Sequence, residues 1–169
     1  MQRSGSVTEY LFFDNFVPFS SSIVRKTCLE KVGAFDETLS MGIDWDLWLR
    51  ISTRYKFDYV DEPLLLYRLG HFGQMSNKIE ERQLCSDRIM RSFIKEYPEV
   101  IPPRIYRKAL AYTYCNRGRY FRDFDLRKSS HYYLLAIKQY PFSPYAYIGL
   151  VKISLRLLAD NKSRQNKKE

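Results

Sequence analysis

A chain of 169 residues, 45% hydrophobic and 28% charged, is long enough for one domain or a small domain with an appendage, and too apolar for a disordered polymer. Its net charge of +9 is uneven: residues 1–77 carry 8 Lys/Arg against 10 Asp/Glu, and residues 78–169 carry 20 against 9. Three widely spaced cysteines, Cys28, Cys85 and Cys115, without a CxxC pair, argue against a disulfide framework and against structural zinc, and no apolar run reaches the length of a membrane span.

In chain order, residues 1–14 read as a loop running into a short apolar piece, Tyr10 to Phe13. Asn15 to Arg25 reads as a strand with small polar residues at its centre. Thr27 is placed to cap a short helix, Cys28 to Val32, that Gly33 closes. Asp44 stands where a helix N-cap belongs, and behind it Leu47, Trp48 and Ile51 recur at helical spacing. Phe57–Val60 and Leu64–Leu69 read as two short strands broken by Asp61-Glu62-Pro63. Gly70 to Ser76 is a loop.

From Asn77 the period changes to 3.6. The spacing predicts helices near 77–96, 102–121, 126–139 and 143–159, punctuated by Pro98, Pro102-Pro103, Pro141 and Pro144. The second and third have the lengths and short connection of an antiparallel hairpin, with Asp123 and Asp125 in its turn. The expected organisation is therefore an α/β part, 1–76, a helical extension, 77–160, and a disordered basic tail, 161–169.

Residues 15–76 resemble the second half of the catalytic domain of family 2 glycosyltransferases. The words that carry the resemblance are Asn15-Phe-Val-Pro-Phe-Ser-Ser-Ser-Ile-Val-Arg25, Val32-Gly-Ala-Phe-Asp-Glu37, Asp44-Trp-Asp-Leu-Trp-Leu-Arg50, Asp61-Glu-Pro-Leu-Leu-Leu-Tyr-Arg68 and Gly73-Gln-Met-Ser76. The resemblance implies an α/β fold, a partial GT-A nucleotide-diphospho-sugar transferase fold, followed by an all-α helical-hairpin extension. It implies inverting transfer of a sugar from a nucleotide-sugar donor to a glycan or lipid-linked acceptor.

In such a transfer an acceptor hydroxyl loses its proton as it attacks the anomeric carbon, and a carboxylate within hydrogen-bond reach takes that proton. Asp44 matches the family's general base; an aspartate that merely caps its helix would occupy the same place. The acidic residue that usually precedes the base is Ile43 here. Trp45 and Asp46 are candidates for binding the acceptor, whereas Trp48 is assigned to the core. Tyr67, Arg68 and His71 match the region that meets the leaving diphosphate, with His71 one residue later than the common spacing and a candidate metal ligand. The Gln-x-x-Arg-Trp word of processive members is absent, so one sugar is expected per event.

No segment before Asn15 reads as the nucleotide-binding half of the family, and no Gly-rich phosphate loop occurs. The chain is therefore expected to hold the acceptor side. A divalent metal, magnesium or manganese, is expected for the complete enzyme rather than for this chain alone. The other reading is a catalytically inactive remnant that binds a protein partner, or a second copy of itself, through its helical region.

The last helix carries Ile148, Val151, Leu155 and Leu158 on a broad apolar face and is followed by Lys162, Arg164, Lys167 and Lys168. That pattern fits either an anionic membrane surface or a helix packed on its neighbour. The expected location is cytoplasmic, peripheral at the inner membrane face. Nucleic acid is ranked last as a partner, because it rests on charge alone without a zinc, RNA-binding or helix-turn-helix pattern.

Overall fold

The computed structural model describes residues 3–66 and 78–165, with side chains described as far as residue 160. Its helices are α1 (Thr8–Phe13), α2 (Lys26–Val32), α3 (Ile43–Ser52), α4 (Ile79–Glu96), α5 (Pro103–Phe121), α6 (Leu126–Gln139) and α7 (Pro144–Gln165). The chain divides into two compact units, Met1–Pro102 and Pro103–Glu169.

The expected α/β, partial GT-A architecture is overturned. Among the described residues there is no strand, only an isolated antiparallel bridge between Gly5 and Phe57. Asn15–Arg25 is irregular, with one 3-10 turn at Phe19–Ser21. Beyond Phe57 the expected strand 57–60 pairs with nothing described. Leu64 and Leu66 are exposed and in no regular element, and the end of that expected strand lies outside the described residues. A strand exists only through a neighbour that accepts and donates its backbone hydrogen bonds. Here short apolar runs rich in β-formers lack such neighbours, so their local preference is not realised.

The first unit is built on α3. Leu47, Trp48, Leu49 and Ile51 are buried, as are Val7, Leu11 and Phe12 around α1 and Ile89, Met90 and Phe93 of α4. Phe12 and Phe93 meet at 5.8 Å between ring centroids. Helix α1 forms where a loop running into a short apolar piece, Tyr10 to Phe13, was expected, because Val7, Leu11 and Phe12 give a short chain segment three fully buried side chains. Helix α4 packs on α3 in this unit, although the sequence reading placed it with the helical extension.

Asp44 is not the N-cap of α3. That position belongs to Gly42, whose φ of 72° is left-handed, and a Cβ there would come within 3.0 Å of Ile89. Asp44 thus falls in the first turn with its carboxylate released from capping.

The second unit is a helical hairpin, α5 and α6, with α7 laid on it. Near the ends of α5 and α6 that meet, the Ser129 hydroxyl donates to the Gly118 carbonyl at 2.6 Å. Ala111, Cys115, Tyr133, Ala136, Ala146 and Ile153 form the core. The Tyr133 ring lies between Gly118 and Gly149: a Cβ at either would come within 2.9 Å or 2.2 Å of it. Glycine is thus needed on α5 and α7 for one aromatic ring to fill the space among three helices.

Asp123 and Asp125 occupy the α5–α6 turn, where Asp125 caps α6 by accepting from the Lys128 N–H at 2.9 Å. Arg156 of α7 donates to the Arg122 and Asp123 carbonyls at 2.8 and 3.3 Å, fastening α7 to that turn. Helix α7 runs on to Gln165, into the stretch read from sequence as a tail.

Candidate functional site

The first two turns of α3 gather side chains from separate parts of the first unit. The Asn15 side-chain N–H donates to Asp44 Oδ2 at 2.9 Å, across 29 residues of chain. The Asn15 Oδ1 accepts the Val17 backbone N–H at 3.3 Å, so the amide oxygen is turned back to its own chain and the NH₂ faces Asp44. One oxygen of the Asp44 carboxylate is thus held by a neutral donor. Asp44 is half-buried, so its carboxylate is neither sealed in the core nor fully solvated.

Trp45 is half-buried and its indole N–H donates to the Leu11 carbonyl at 2.6 Å, tying α3 to α1. The structure therefore gives the indole nitrogen a backbone partner and leaves the ring as the part of Trp45 able to meet a ligand.

Asp46 forms an ion pair with Arg50 at 2.8 Å, four residues on, with both side chains largely buried. Arg50 also donates to the carbonyls of Val32 at 2.6 Å, Gly33 at 3.3 Å and Ala34 at 2.8 Å. These carbonyls follow the end of α2, where helical partners run out, and the guanidinium supplies the donors they lack. Asp46 thus orients the arginine that fastens α2 to α3.

Trp48 is 2% exposed, in keeping with its core assignment, and its ring lies 6.5 Å from that of Phe19. Its indole nitrogen has no hydrogen-bond partner among the described residues. Tyr67, Arg68 and His71, the diphosphate- and metal-binding candidates, lie outside the described residues.

Three of the words that carry the resemblance are therefore joined by hydrogen bonds: the first supplies Asn15, the second the carbonyls of Val32 to Ala34, the third Asp44, Asp46 and Arg50. Two of these roles were not read from sequence. Asn15 was part of a word without an assigned task. Arg50 stands four residues after Asp46, the helical spacing of an ion pair, which was a readable signal.

Next to this cluster, Asp14 ends α1. Its carboxyl is pushed above the ordinary value by burial, against a lowering from the Asn15 backbone N–H and the charge of Arg82. Among the described residues no group of three or more His, Cys, Asp or Glu gathers to hold a metal ion. Asp44 and Asp46 do not converge on one, since Asp46 is engaged by Arg50.

Comparison with known proteins gives a partial match. An uncharacterized glycosyltransferase of Methanocaldococcus jannaschii is 32% identical to this chain over 81 residues. The match covers 47% of this chain and 28% of the relative, so the chain spans less than a third of that protein's length in alignment. No protein-family model matches the chain, and no solved structure matches it.

Proposed function

From a partial likeness to a glycosyltransferase, we propose that the first unit carries the acceptor and general-base portion of an inverting, non-processive glycosyl transfer from a nucleotide-sugar. The observation that supports this reading most directly is the Asn15–Asp44 hydrogen bond. It brings together two residues of the resembling segment and leaves the second Asp44 oxygen without a hydrogen-bond partner among the described residues, in a half-buried setting at the start of α3.

In this reading the acceptor hydroxyl donates its proton to Asp44 as its oxygen attacks the anomeric carbon, and the nucleotide diphosphate departs from the opposite face. Asn15 holds one carboxylate oxygen so that the other is presented to the hydroxyl. The Trp45 ring offers an apolar face to a sugar, while Asp46 acts indirectly by keeping α2 and α3 in register. A divalent metal of the complete enzyme would need ligands beyond the aspartates of α3, since Asp46 is engaged by Arg50.

The test has two readouts. Oligosaccharide acceptors titrated into isotope-labelled chain are expected to move the Asn15 side-chain amide and Trp45 indole resonances. In the complete enzyme, assayed with nucleotide-sugar donors, Asp44→Asn is expected to lower transfer by about 10²–10⁴-fold while acceptor binding persists. Unmoved resonances across an acceptor panel, or full transfer by Asp44→Asn, would sink this reading.

A further inference from the structure

Helix α7 has two apolar faces, and the second unit covers only one. Ala146 and Ile153 are buried in the core, and Gly149 faces the Tyr133 ring. On the opposite face Ile148, Val151, Leu155 and Leu158 recur at helical spacing and are 50%, 57%, 60% and 65% exposed. Phe142, just before this helix, is 81% exposed and Tyr145, in its first turn, 63%. A row of aliphatic side chains this open to water marks a surface made for a partner.

Charge says which partner. Residues 103–169 hold 15 Lys/Arg against 4 Asp/Glu, a net of +11, while residues 1–102 hold 13 against 15. The whole positive excess of the protein is therefore in the unit that carries the open face. Lys152 is exposed within α7, and the sequence continues with Lys162, Arg164, Lys167 and Lys168.

We infer that the outer face of α7 docks on an anionic phospholipid surface. Nucleic acid would answer the charge but leave Ile148, Val151, Leu155 and Leu158 uncovered. A second copy would cover them but bring another +11 against the first. An anionic bilayer offers an acyl boundary for the aliphatic row and negative headgroups for the lysines and arginines beside it. The helix lies on this surface rather than through it, since none among the described residues is long and apolar enough to cross a membrane.

The experiment uses the full chain, sedimented with vesicles of phosphatidylcholine alone or mixed with phosphatidylglycerol. Binding is expected only to the mixed vesicles and is expected to fall as salt is raised. Leu155→Glu/Leu158→Glu should weaken it about tenfold or more with an unchanged far-ultraviolet circular dichroism spectrum, because both side chains are exposed. Lys152→Glu should weaken it less. Equal binding to both vesicle types, or undiminished binding by the double glutamate variant, overturns the inference. So does a dimer that the double variant disperses, which would give the face to a second copy. RNA binding that survives this variant in the absence of vesicle binding would instead give the charge to nucleic acid.

Discussion

At the scale of single residues, the first unit spends its charged side chains on holding loops to helices. Arg50 is the clearest case, serving Asp46 and three carbonyls at the end of α2 at once. Arg50→Met would leave Asp46 and those carbonyls without their donor, and should cost about 2 kcal/mol, below the range for a fully buried pair because the site lies at a rim. The chain's two tryptophans, Trp45 and Trp48, both lie in α3, so urea unfolding followed by their fluorescence reports on this unit. A midpoint equal to wild type would refute the role given to Arg50.

Asp36 acts in the same way, and its acidity makes it measurable. It accepts from the Thr38 hydroxyl and backbone N–H and pairs with Arg88 of α4 at 3.5 Å. The Thr38 hydrogen bonds, foremost, and the charge of Arg88 hold its carboxyl below the ordinary value of 3.8. A folded-state pKa below the unfolded one means stability that is present above pH 3.8 and lost as pH falls through the lowered value. Asp36→Asn should therefore flatten the acid limb of the stability profile while lowering stability at neutral pH. An unchanged acid limb would show that Asp36 does not carry this dependence.

At the scale of elements, α5, α6 and the start of α7 were legible to within a residue because their apolar positions recur at 3.6 and prolines mark their boundaries, whereas α7 runs six residues past its expected end. What periodicity could not show is that one ring, Tyr133, fills the space between Gly118 and Gly149. Gly149→Ala should destabilise the second unit by about 1–3 kcal/mol through overpacking. Tyr133→Leu should make the alanine better tolerated, since the ring it meets is gone. Thermal unfolding of the two single variants and the double variant measures this coupling, and strict additivity would count against it. The expected strands failed for the opposite reason. Asn15–Arg25 and Phe57–Val60 have strand-like composition, yet a strand is a property of two segments, and only Gly5 and Phe57 pair among the described residues.

At the scale of the molecule, the chain holds two compact units with separate cores and opposite charge balance. The boundary read from sequence came at the change of period near residue 77; the compact units divide at Pro102, because α4 is helical yet finds its apolar partners on α3. Residues 103–169 expressed alone are expected to give a helical spectrum and a cooperative thermal transition, since their core is drawn from α5, α6 and α7 only. A broad, non-cooperative melt would show that this core does not sustain the unit.

The sequence by itself determined the helices of the second unit, because period and punctuation are local properties of the chain, whereas Asp44 entered as a candidate only through the resemblance. Only the tertiary structure decided that Gly42 rather than Asp44 caps α3, that Asn15 donates to the Asp44 carboxylate, that Arg50 also holds the carbonyls of Val32 to Ala34, and that the short apolar runs form no sheet among the described residues. These outcomes depend on which groups the fold brings together, Asn15 with Asp44 across 29 residues and Arg50 with the Val32 carbonyl across 18, and an amide, a guanidinium or a neighbouring strand exerts its effect only once the fold has brought it there.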